Sequence, residues 1–447
     1  MIRPSLRSAR SISGAVLALA LLAGPVSGQE TPTLDDRVER VLPEIVEARH
    51  TIHANPELSN RETETAALVA SHLRDLGLEV EEKVAKTGVV GILRGGRPGP
   101  VVAVRADMDA LPVTERTDLP FRSTRRTTYQ GREVGVAHAC GHDVHTAVGL
   151  GVASVLAPMR DSLPGTVKFL FQPAEEGPPP GEAGGASLML EEGALEDPRP
   201  DAIFALHSTP ELNVGTVGWI SGPTYASSDH FVVTIEGKQS HGAYPHLAVD
   251  PIVTAAQAIL ALQTIRSRTL EPTEPGVVSV GIVEGGERNN IIPESVRLEG
   301  TIRTYDDSVR SAIKERIDAI LDGVTSAAGA DYALEYHPYA PPTVNDADLA
   351  AFARDVLVDA LGPDAVVNVD PVMGAEDFAW FAREVPGFYF RLGTTAPGIG
   401  SGALHTPDFR ADDGAIPVGI RAMSSLVIAT LRRGGAGAGG GGEAARP

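Results

Sequence analysis

Apolar and polar positions follow two different patterns along the chain. The change from one pattern to the other divides the sequence into two kinds of region. Up to about residue 223, and again after about residue 341, short apolar runs alternate with segments of helical spacing. The runs predicted to be strands are VVGILRG (89–95), VVAVRADMD (101–109), GTVKFLFQPAEEG (165–177), DAIFALHSTP (201–210) and FYFRLGTT (388–395). Buried apolar strands separated by helices are typical of a doubly wound sheet. We therefore predict an α/β fold with a mostly parallel sheet.

Helical spacing accompanies these runs. The pattern predicts helix over 36–80, ending at Gly77, and further helices near 149–159, 347–361 and 413–432.

The second pattern covers residues 224–340. Its pattern is strand, helix, two strands, helix and strand, which is the order of a ferredoxin-like α+β sandwich. We predict that this domain is inserted into the α/β domain, whose two parts are then residues 29–223 and 341–434.

The two ends of the chain differ in composition from both domains. Three arginines precede the apolar run AVLALALLA (15–23), and small residues follow it, which predicts a cleaved signal peptide over 1–28. We expect an exported protein, periplasmic or secreted, with no membrane attachment after cleavage. Residues 435–447 are rich in Gly and Ala and are predicted to be a disordered tail. The formal net charge of −20 disfavours a nucleic-acid partner.

The only cysteine of the chain lies in HACGHDVHTA (138–147), among three histidines. In an exported protein a single cysteine has no partner for an internal disulfide. The residues leave three roles open for Cys140: a buried inert side chain, a nucleophile or a metal ligand.

Potential metal ligands follow several of the predicted strands. Ligands of open α/β sheets bind at the carboxyl ends of the strands, so these side chains are expected to meet at one edge. Cysteine, histidine and carboxylate together hold zinc and its neighbours in the transition series. The candidates are Asp107, Asp109, Cys140, His142, Glu175, Glu176, His207 and His405. A metal site accounts for all of them. A nucleophilic Cys140 paired with a histidine leaves Glu175, Glu176 and the distant histidines without a role, and no GxSxG motif indicates a serine hydrolase.

Taken together, these motifs resemble the aminoacylase/carboxypeptidase G type of co-catalytic metallopeptidases. Within that family they are similar to the amidohydrolase branch of hippurate hydrolases and auxin–amino-acid conjugate hydrolases. The matching stretches run in family order over nearly the whole mature chain: HANPELS, RADMDALP, HACGHDVHTA, FQPAEEG, LHSTP, GKQSHGAYPHLAVDPI, NNIIP, GTIRT, GAEDF and LHTPDF.

The resemblance implies a cofactor of two divalent ions (Zn, Mn, Co or Ni) and a lid and dimerisation role for the inserted domain. It implies metal ligands at Cys140, His142, Glu176, His207 and His405, with Cys140 as the bridge. It implies Glu175 as general base, His241 as oxyanion donor that often reaches across a homodimer, and Asn290 and Arg303 as substrate contacts. Asp107 and Asp109 are assigned to support of the ligands, as are His138 and His145. Prolines 178–180 are a local departure that is expected to alter the acyl pocket.

The predicted function is metal-dependent hydrolysis of an N-acyl amino acid to a carboxylate and an amino acid. Two alternatives stay open. One is a metal-dependent dipeptidase or carboxypeptidase on the same scaffold, and the other is a non-catalytic periplasmic binding protein.

Overall fold

A computed structural model describes residues 1–2, 5 and 32–437 of the chain, which include most of both predicted domains. The predicted signal peptide lies almost wholly outside the described residues, and so do residues 438–447 of the predicted tail. The α-helices of the described part are α1 (Leu34–Ala54), α2 (Thr63–Asp75), α3 (His142–Leu156), α4 (Gly185–Glu191), α5 (Pro251–Thr264), α6 (Asp307–Ala328), α7 (Ala347–Leu361), α8 (Ala379–Glu384) and α9 (Ala415–Gly437).

Eighteen strands form two main sheets and three short two-stranded ribbons in the described part of the chain. They are β1 (Glu79–Val84), β2 (Gly88–Arg94), β3 (Arg97–Asp107), β4 (Arg126–Tyr129), β5 (Arg132–Gly135), β6 (Pro164–Gln172), β7 (Ala202–Asn213), β8 (Val217–Trp219), β9 (Gly222–Tyr225), β10 (Ser228–Glu236), β11 (Ser240–His241), β12 (Gly276–Glu284), β13 (Ile291–Ile292), β14 (Ser295–Thr304), β15 (Asp331–Ala340), β16 (Thr343–Asn345), β17 (Val366–Asn368) and β18 (Gly387–Thr395).

The larger sheet has eight strands in the order β1-β2-β6-β3-β7-β18-β8-β17. Its four central strands, β6, β3, β7 and β18, are mutually parallel, whereas β1 and β2 add antiparallel pairs at one side. Alternate residues of β3 enter different cores: Val104 packs with the cluster that includes α3 and α9, and Ala103 packs with the cluster that includes α4 and α8. Helices therefore cover both faces, which explains the nearly continuous apolar runs. The predicted mostly parallel α/β sheet is confirmed.

The second sheet has four antiparallel strands in the order β12-β14-β10-β15, with α5 and α6 packed on one face. Phe231, Leu298 and Ile317 are fully buried between the sheet and these helices. The order β10-α5-β12-β14-α6-β15 is the predicted ferredoxin-like arrangement, and its strands run from residue 228 to residue 340. We refer to this unit as the lid.

Residues 36–80 do not form one helix, so that prediction was wrong. The structure has α1, an irregular segment, α2 and then strand β1. Pro56 disfavours helical backbone at the preceding residue, which separates the first two elements. Residues 79–84 (EVEEKV) are mostly charged. They form strand β1, which pairs with β2 at the edge of the sheet. The short hairpin β4–β5 was not predicted either.

Helix α9 is the one helix of the described residues that is long and apolar enough to cross a membrane, by length and composition alone. However, 61% of its apolar window is buried inside the protein. Ile416, Ile420 and Leu426 lie in the core beneath the large sheet. Its hydropathy is that of a core helix.

Candidate metal centre

The candidate ligands lie at the carboxyl-end edge of the central parallel strands. Asp107 ends β3, Glu175 and Glu176 follow β6, and His207 lies in β7 beyond its pairing with β3. Cys140 precedes α3, and His142 is its first residue. His405 is delivered by the loop before α9, where its backbone N–H donates to the Ala139 carbonyl at 2.8 Å. The parallel strand order therefore gathers side chains that are distant in sequence.

A glycine allows the loop that carries the cysteine to approach β7. Gly141 has φ +86°, in the left-handed region that favours glycine. A Cβ atom built there would lie 2.7 Å from the Cβ of Ser208. The side chain of any other residue would thus push Cys140 and His142 away from His207.

Cys140 belongs to two groups of potential ligands, in each of which the ligand atoms lie within 4.8 Å of one another. One group is Cys140, His142 and His207, and the other is Cys140, Glu176 and His405. The Cys140 Sγ is 3.4 Å from His207 Nε2 and 3.2 Å from His405 Nε2. The His405 Nε2 is 3.1 Å from Glu176 Oε1. These two groups share one thiol, which is the arrangement expected for a bridging ligand.

The imidazoles of His142 and His207 are oriented with one nitrogen toward the cluster. The Nδ1 of His142 lies 3.1 Å from Asp109 Oδ1, and the Nδ1 of His207 lies 2.7 Å from the Ser208 carbonyl oxygen. Since both partners are acceptors, each Nδ1 donates, which turns each Nε2 toward the thiol and carboxylates of the cluster. The Nε2 of His142 is buried and has no hydrogen-bond partner in the described part of the chain. A buried imidazole nitrogen left unpaired among a thiol and carboxylates fits a metal ligand.

Asp109 and Asp107 support different groups. Asp109 accepts hydrogen bonds from His142, from the Ser59 hydroxyl at 2.7 Å, and from the backbone N–H groups of Glu175 and Glu176 at 3.1 and 3.0 Å. It therefore fixes one candidate ligand and the loop of both glutamates.

Asp107 accepts instead from His145 Nδ1 at 2.5 Å, and its other oxygen is 3.9 Å from His142 Nε2. His145 in turn accepts from the Ser208 backbone N–H at 2.7 Å. Asp107 therefore orients His145, which in turn contacts the backbone next to His207. His138 is also buried behind the cluster.

Buried acids crowd around the thiol, and the pKa shifts reflect their number. Burial, together with Glu176 and Glu175, raises the pKa of Cys140 well above its usual value. Burial and the carboxylates of Glu376 and Glu176 also raise the pKa of Glu175 well above its usual value. Burial alone would lower the pKa of His142, but Asp107 and Asp109 raise it to about 10. In this setting a bound cation would favour the carboxylate and thiolate forms.

A cavity of about 660 Å³ opens over the cluster, and we call it the site cavity. The lid contributes Ser228, Arg303 and Tyr339 to its lining, opposite Cys140 and Glu175. Arg303 is half-buried, and its Nε donates to Thr301 Oγ1 at 3.1 Å. The predicted substrate contact at Arg303 thus shares a cavity with the predicted ligands.

His241 and Asn290 do not line the site cavity. Both are exposed on the lid, on and beside the short ribbon β11–β13, where the Gly242 backbone N–H donates to the Asn290 carbonyl at 2.8 Å. Within one chain the structure does not bring either residue to the other predicted site residues.

A buried ion network next to Glu175 was missed from the sequence. The guanidinium of Arg105 binds Asp107, Glu376 and Asp377 at 2.6, 2.9 and 3.0 Å, and Tyr389 donates to Glu376. Glu175, Glu376 and Asp377 bring carboxylate oxygens within 4.8 Å of one another. The motifs RADMD and GAEDF contain most of this network. Only the fold shows that they meet.

A three-layered α/β domain with a thiol–imidazole–carboxylate cluster beneath a ferredoxin-like lid defines the class of two-domain metallohydrolases. The sequence pattern of the peptidase family M20/M25/M40 matches residues 103–429. The chain belongs to this family, and it is a hydrolase of the amidohydrolase and peptidase group.

Two proteins of similar sequence and one similar crystal structure are consistent with membership of this family. The chain is 39% identical over 373 residues to N-acetyl-L-cysteine deacetylase of Bacillus subtilis, covering 83% of this chain and 85% of that protein. It is 38% identical over 392 residues to the IAA-amino acid hydrolase ILR1-like 4 of Arabidopsis thaliana, covering 87% and 86%. A crystal structure of the Bacillus subtilis YXEP protein, described as a dinuclear metal-binding peptidase of the M20 family, has a TM-score of 0.74. That protein shares 34% identity, and the match covers 88% of this chain and 99% of that one.

Proposed function

We propose that the chain hydrolyses the amide bond of N-acyl amino acids and releases a carboxylate and an amino acid. The observation that carries this proposal is the site cavity, which joins Glu175 and the candidate ligands to Arg303. Two relatives are described as acting on N-acyl amino acids. The chain is 39% and 38% identical to them over the aligned residues.

Two divalent ions are the proposed cofactor, with Cys140 between them. His142 and His207 would hold one ion, and Glu176 and His405 would hold the other, as the two ligand groups suggest. The donor set suits Zn, Mn, Co or Ni. When bound, such a pair polarises an amide carbonyl and makes a water molecule more acidic.

Glu175 is the proposed general base. Its Oε2 lies 3.8 Å from His142 Nε2, and its side chain is buried at the floor of the site cavity. It accepts a proton from the attacking water and delivers that proton to the amine as the C–N bond breaks. Burial and the neighbouring carboxylates raise the pKa of Glu175, and a bound cation would favour the carboxylate form that accepts the proton.

Arg303 is proposed to bind the α-carboxylate of the amino-acid half. A guanidinium offers two parallel N–H groups to a carboxylate, which fixes orientation as well as position. Among the residues that the structure describes, Thr301 is the one hydrogen-bond partner of this guanidinium. Asn290 is proposed as a further substrate contact.

His241 is proposed to stabilise the oxyanion of the tetrahedral intermediate, and to do so in a homodimer. Its Nδ1 accepts from the Ala243 backbone N–H at 3.0 Å, so that Nε2 carries the proton and is free to donate. Eight of the twelve exposed large apolar side chains of the described residues lie between Tyr244 and Ile291 on the lid. An apolar surface of this kind favours pairing of two lids. We also propose export of the mature protein, on the basis of the N-terminal sequence.

The test is release of amino acid from acetyl-, benzoyl- and indoleacetyl-amino acids by purified mature protein, with metal added and after chelation. We expect release that the chelator abolishes and that metal restores. Cleavage of free dipeptides in place of acylated substrates would establish a peptidase instead, in line with the description of the YXEP protein. A folded, metal-loaded protein that cleaves neither class would indicate a binding protein.

A further inference from the structure

A second cavity of about 660 Å³ adjoins the site cavity, and we call it the side cavity. It lies between the segment 56–61, the hairpin β4–β5 and the loop 176–180. Of the residues in the described ranges, Glu176 is the one that lines both cavities. A bond held at Glu175 and Glu176 therefore has two spaces beside it, one toward Arg303 and one toward the hairpin.

Gly177 follows Glu176 in the chain and lies beside the place where the two cavities meet. This glycine lines the side cavity and has φ +97°. A Cβ atom built on it would lie 3.7 Å from Cε2 of Tyr339, which lines the site cavity. Gly177 and Tyr339 therefore lie next to each other at the border of the two cavities.

The side cavity has a mixed lining, in which apolar side chains stand among polar ones. Leu58, Leu111, Pro112, Val136 and Pro179 line it, and Tyr129 lies at the end of the hairpin strand β4. A preformed apolar concavity of several hundred cubic ångströms is the size of a small-molecule site. An acetyl group would leave most of this volume unfilled.

The arginines at the rim do not make the side cavity an anion site, because each already has a carboxylate partner. Arg61 pairs with Glu182 at 2.6 Å, Arg125 pairs with Glu64 at 2.7 Å, and Arg126 pairs with Glu133. A ligand in the side cavity would therefore contact the apolar part of the wall and not a free guanidinium group.

The loop 176–180, which contains three prolines, forms an ordered wall of the side cavity. Prolines 178–180 fix three successive φ angles. The loop is anchored just beyond them, where Glu182 accepts hydrogen bonds from Arg61, from Lys86 at 2.7 Å and from Asn60 at 3.1 Å. A wall that is already ordered loses little conformational entropy when a ligand binds.

We infer that the side cavity binds the acyl group of the substrate and selects bulky, apolar or aromatic acyl groups over acetyl. This inference rests on the proposed function. The amino-acid half lies toward Arg303 in the site cavity, and the acyl half passes Gly177 into the side cavity. Leu111 is a specificity-determining residue, because its backbone is fixed by hydrogen bonds to Ala137 at 3.0 and 3.1 Å while its half-buried side chain lines the cavity.

The experiment compares Leu111→Trp, which fills the cavity, with the matched variant Leu111→Ala, which enlarges it. Each is assayed on acetyl- and indoleacetyl-derivatives of one amino acid. We expect Leu111→Trp to lower kcat/KM for the indoleacetyl substrate by at least about tenfold and to change the acetyl substrate by less than about twofold. We expect Leu111→Ala to retain turnover of both substrates. Thermal melting verifies that each variant is folded.

Tyr129→Ala provides a second test at the far wall, in case the tryptophan variant does not fold. It should raise the KM of the indoleacetyl substrate without affecting the acetyl substrate. Equal changes for the two substrates, or no change for either, would overturn the assignment of the acyl group to the side cavity while leaving the proposed function intact. Absence of any N-acyl amino acid hydrolysis by the unmodified enzyme would instead overturn the proposed function and this inference with it.

Discussion

The two parts of the candidate site differ in how firmly their side chains are held. In the α/β domain, His142 is fully buried, its ring is fixed by Asp109, and Asp109 is itself fixed by Ser59 and two backbone N–H groups. On the lid, His241 and Asn290 are exposed, and the ribbon that carries His241 has strands of only two residues. One region is preorganised by packing. The side chains of His241 and Asn290 on the lid are not held by packing in this way.

The difference indicates a division of labour. Buried, hydrogen-bonded side chains keep one geometry, which is what metal ligation and proton transfer require. For His241 and Asn290 to act as proposed, the lid would have to move or a second subunit would have to supply them. Substitutions in the α/β domain should therefore change metal binding or the rate of the chemical step. Substitutions on the ribbon should change turnover and leave metal binding as it is.

The largest effect is expected from Glu175→Gln. The amide keeps the shape of the side chain but cannot accept the proton of water, so kcat should fall by about 10²- to 10⁴-fold. Metal content, measured by elemental analysis, should be unchanged. The matched change at exposed Glu191 should leave turnover intact. Full activity of Glu175→Gln would remove the general base from the mechanism.

His241→Ala is expected to come next, with a fall in kcat of about 10²- to 10³-fold, as for loss of one oxyanion donor. Because His241 is exposed, neither metal content nor the melting temperature should change. His246→Ala, at an exposed histidine of the same segment, is the control.

Co-expression of Glu175→Gln and His241→Ala chains then tests whether His241 acts across a dimer. Half of the dimers formed at an equal ratio are mixed, and each mixed dimer has one intact site, so about a quarter of the normal activity should return. Failure of mixed dimers to recover activity would place His241 within its own subunit or outside the reaction.

The smallest effect is expected from Asp109→Asn. Loss of the carboxylate that orients His142 should weaken metal binding by about 10- to 100-fold. The measurement is metal retention against a competing chelator, with Asp364→Asn at an exposed site as control. Unchanged retention would mean that Asp109 supports only the loop of the glutamates, and it would weaken the contrast between the two regions.

Much of the fold was predictable because its signals are local. Apolar runs of β3, β6 and β7 are buried on both faces and therefore stand out without any tertiary information. The merged helix over 36–80 failed because the edge strand β1 is partly polar and takes its conformation from pairing with β2. The hairpin β4–β5 is mostly exposed, so its pattern carried no apolar signal.

The sequence by itself determined which side chains end the central strands, since parallel strands bring their carboxyl ends to one edge whatever the details of packing. It therefore predicted the gathering of Cys140, His142, Glu175, Glu176, His207 and His405. Only the tertiary structure decided that Arg303 enters the same cavity while His241 does not. It also decided that Arg105 joins motifs some 270 residues apart and that a second cavity meets the first at Glu176. These features depend on the relative placement of whole elements, which no local pattern of residues encodes.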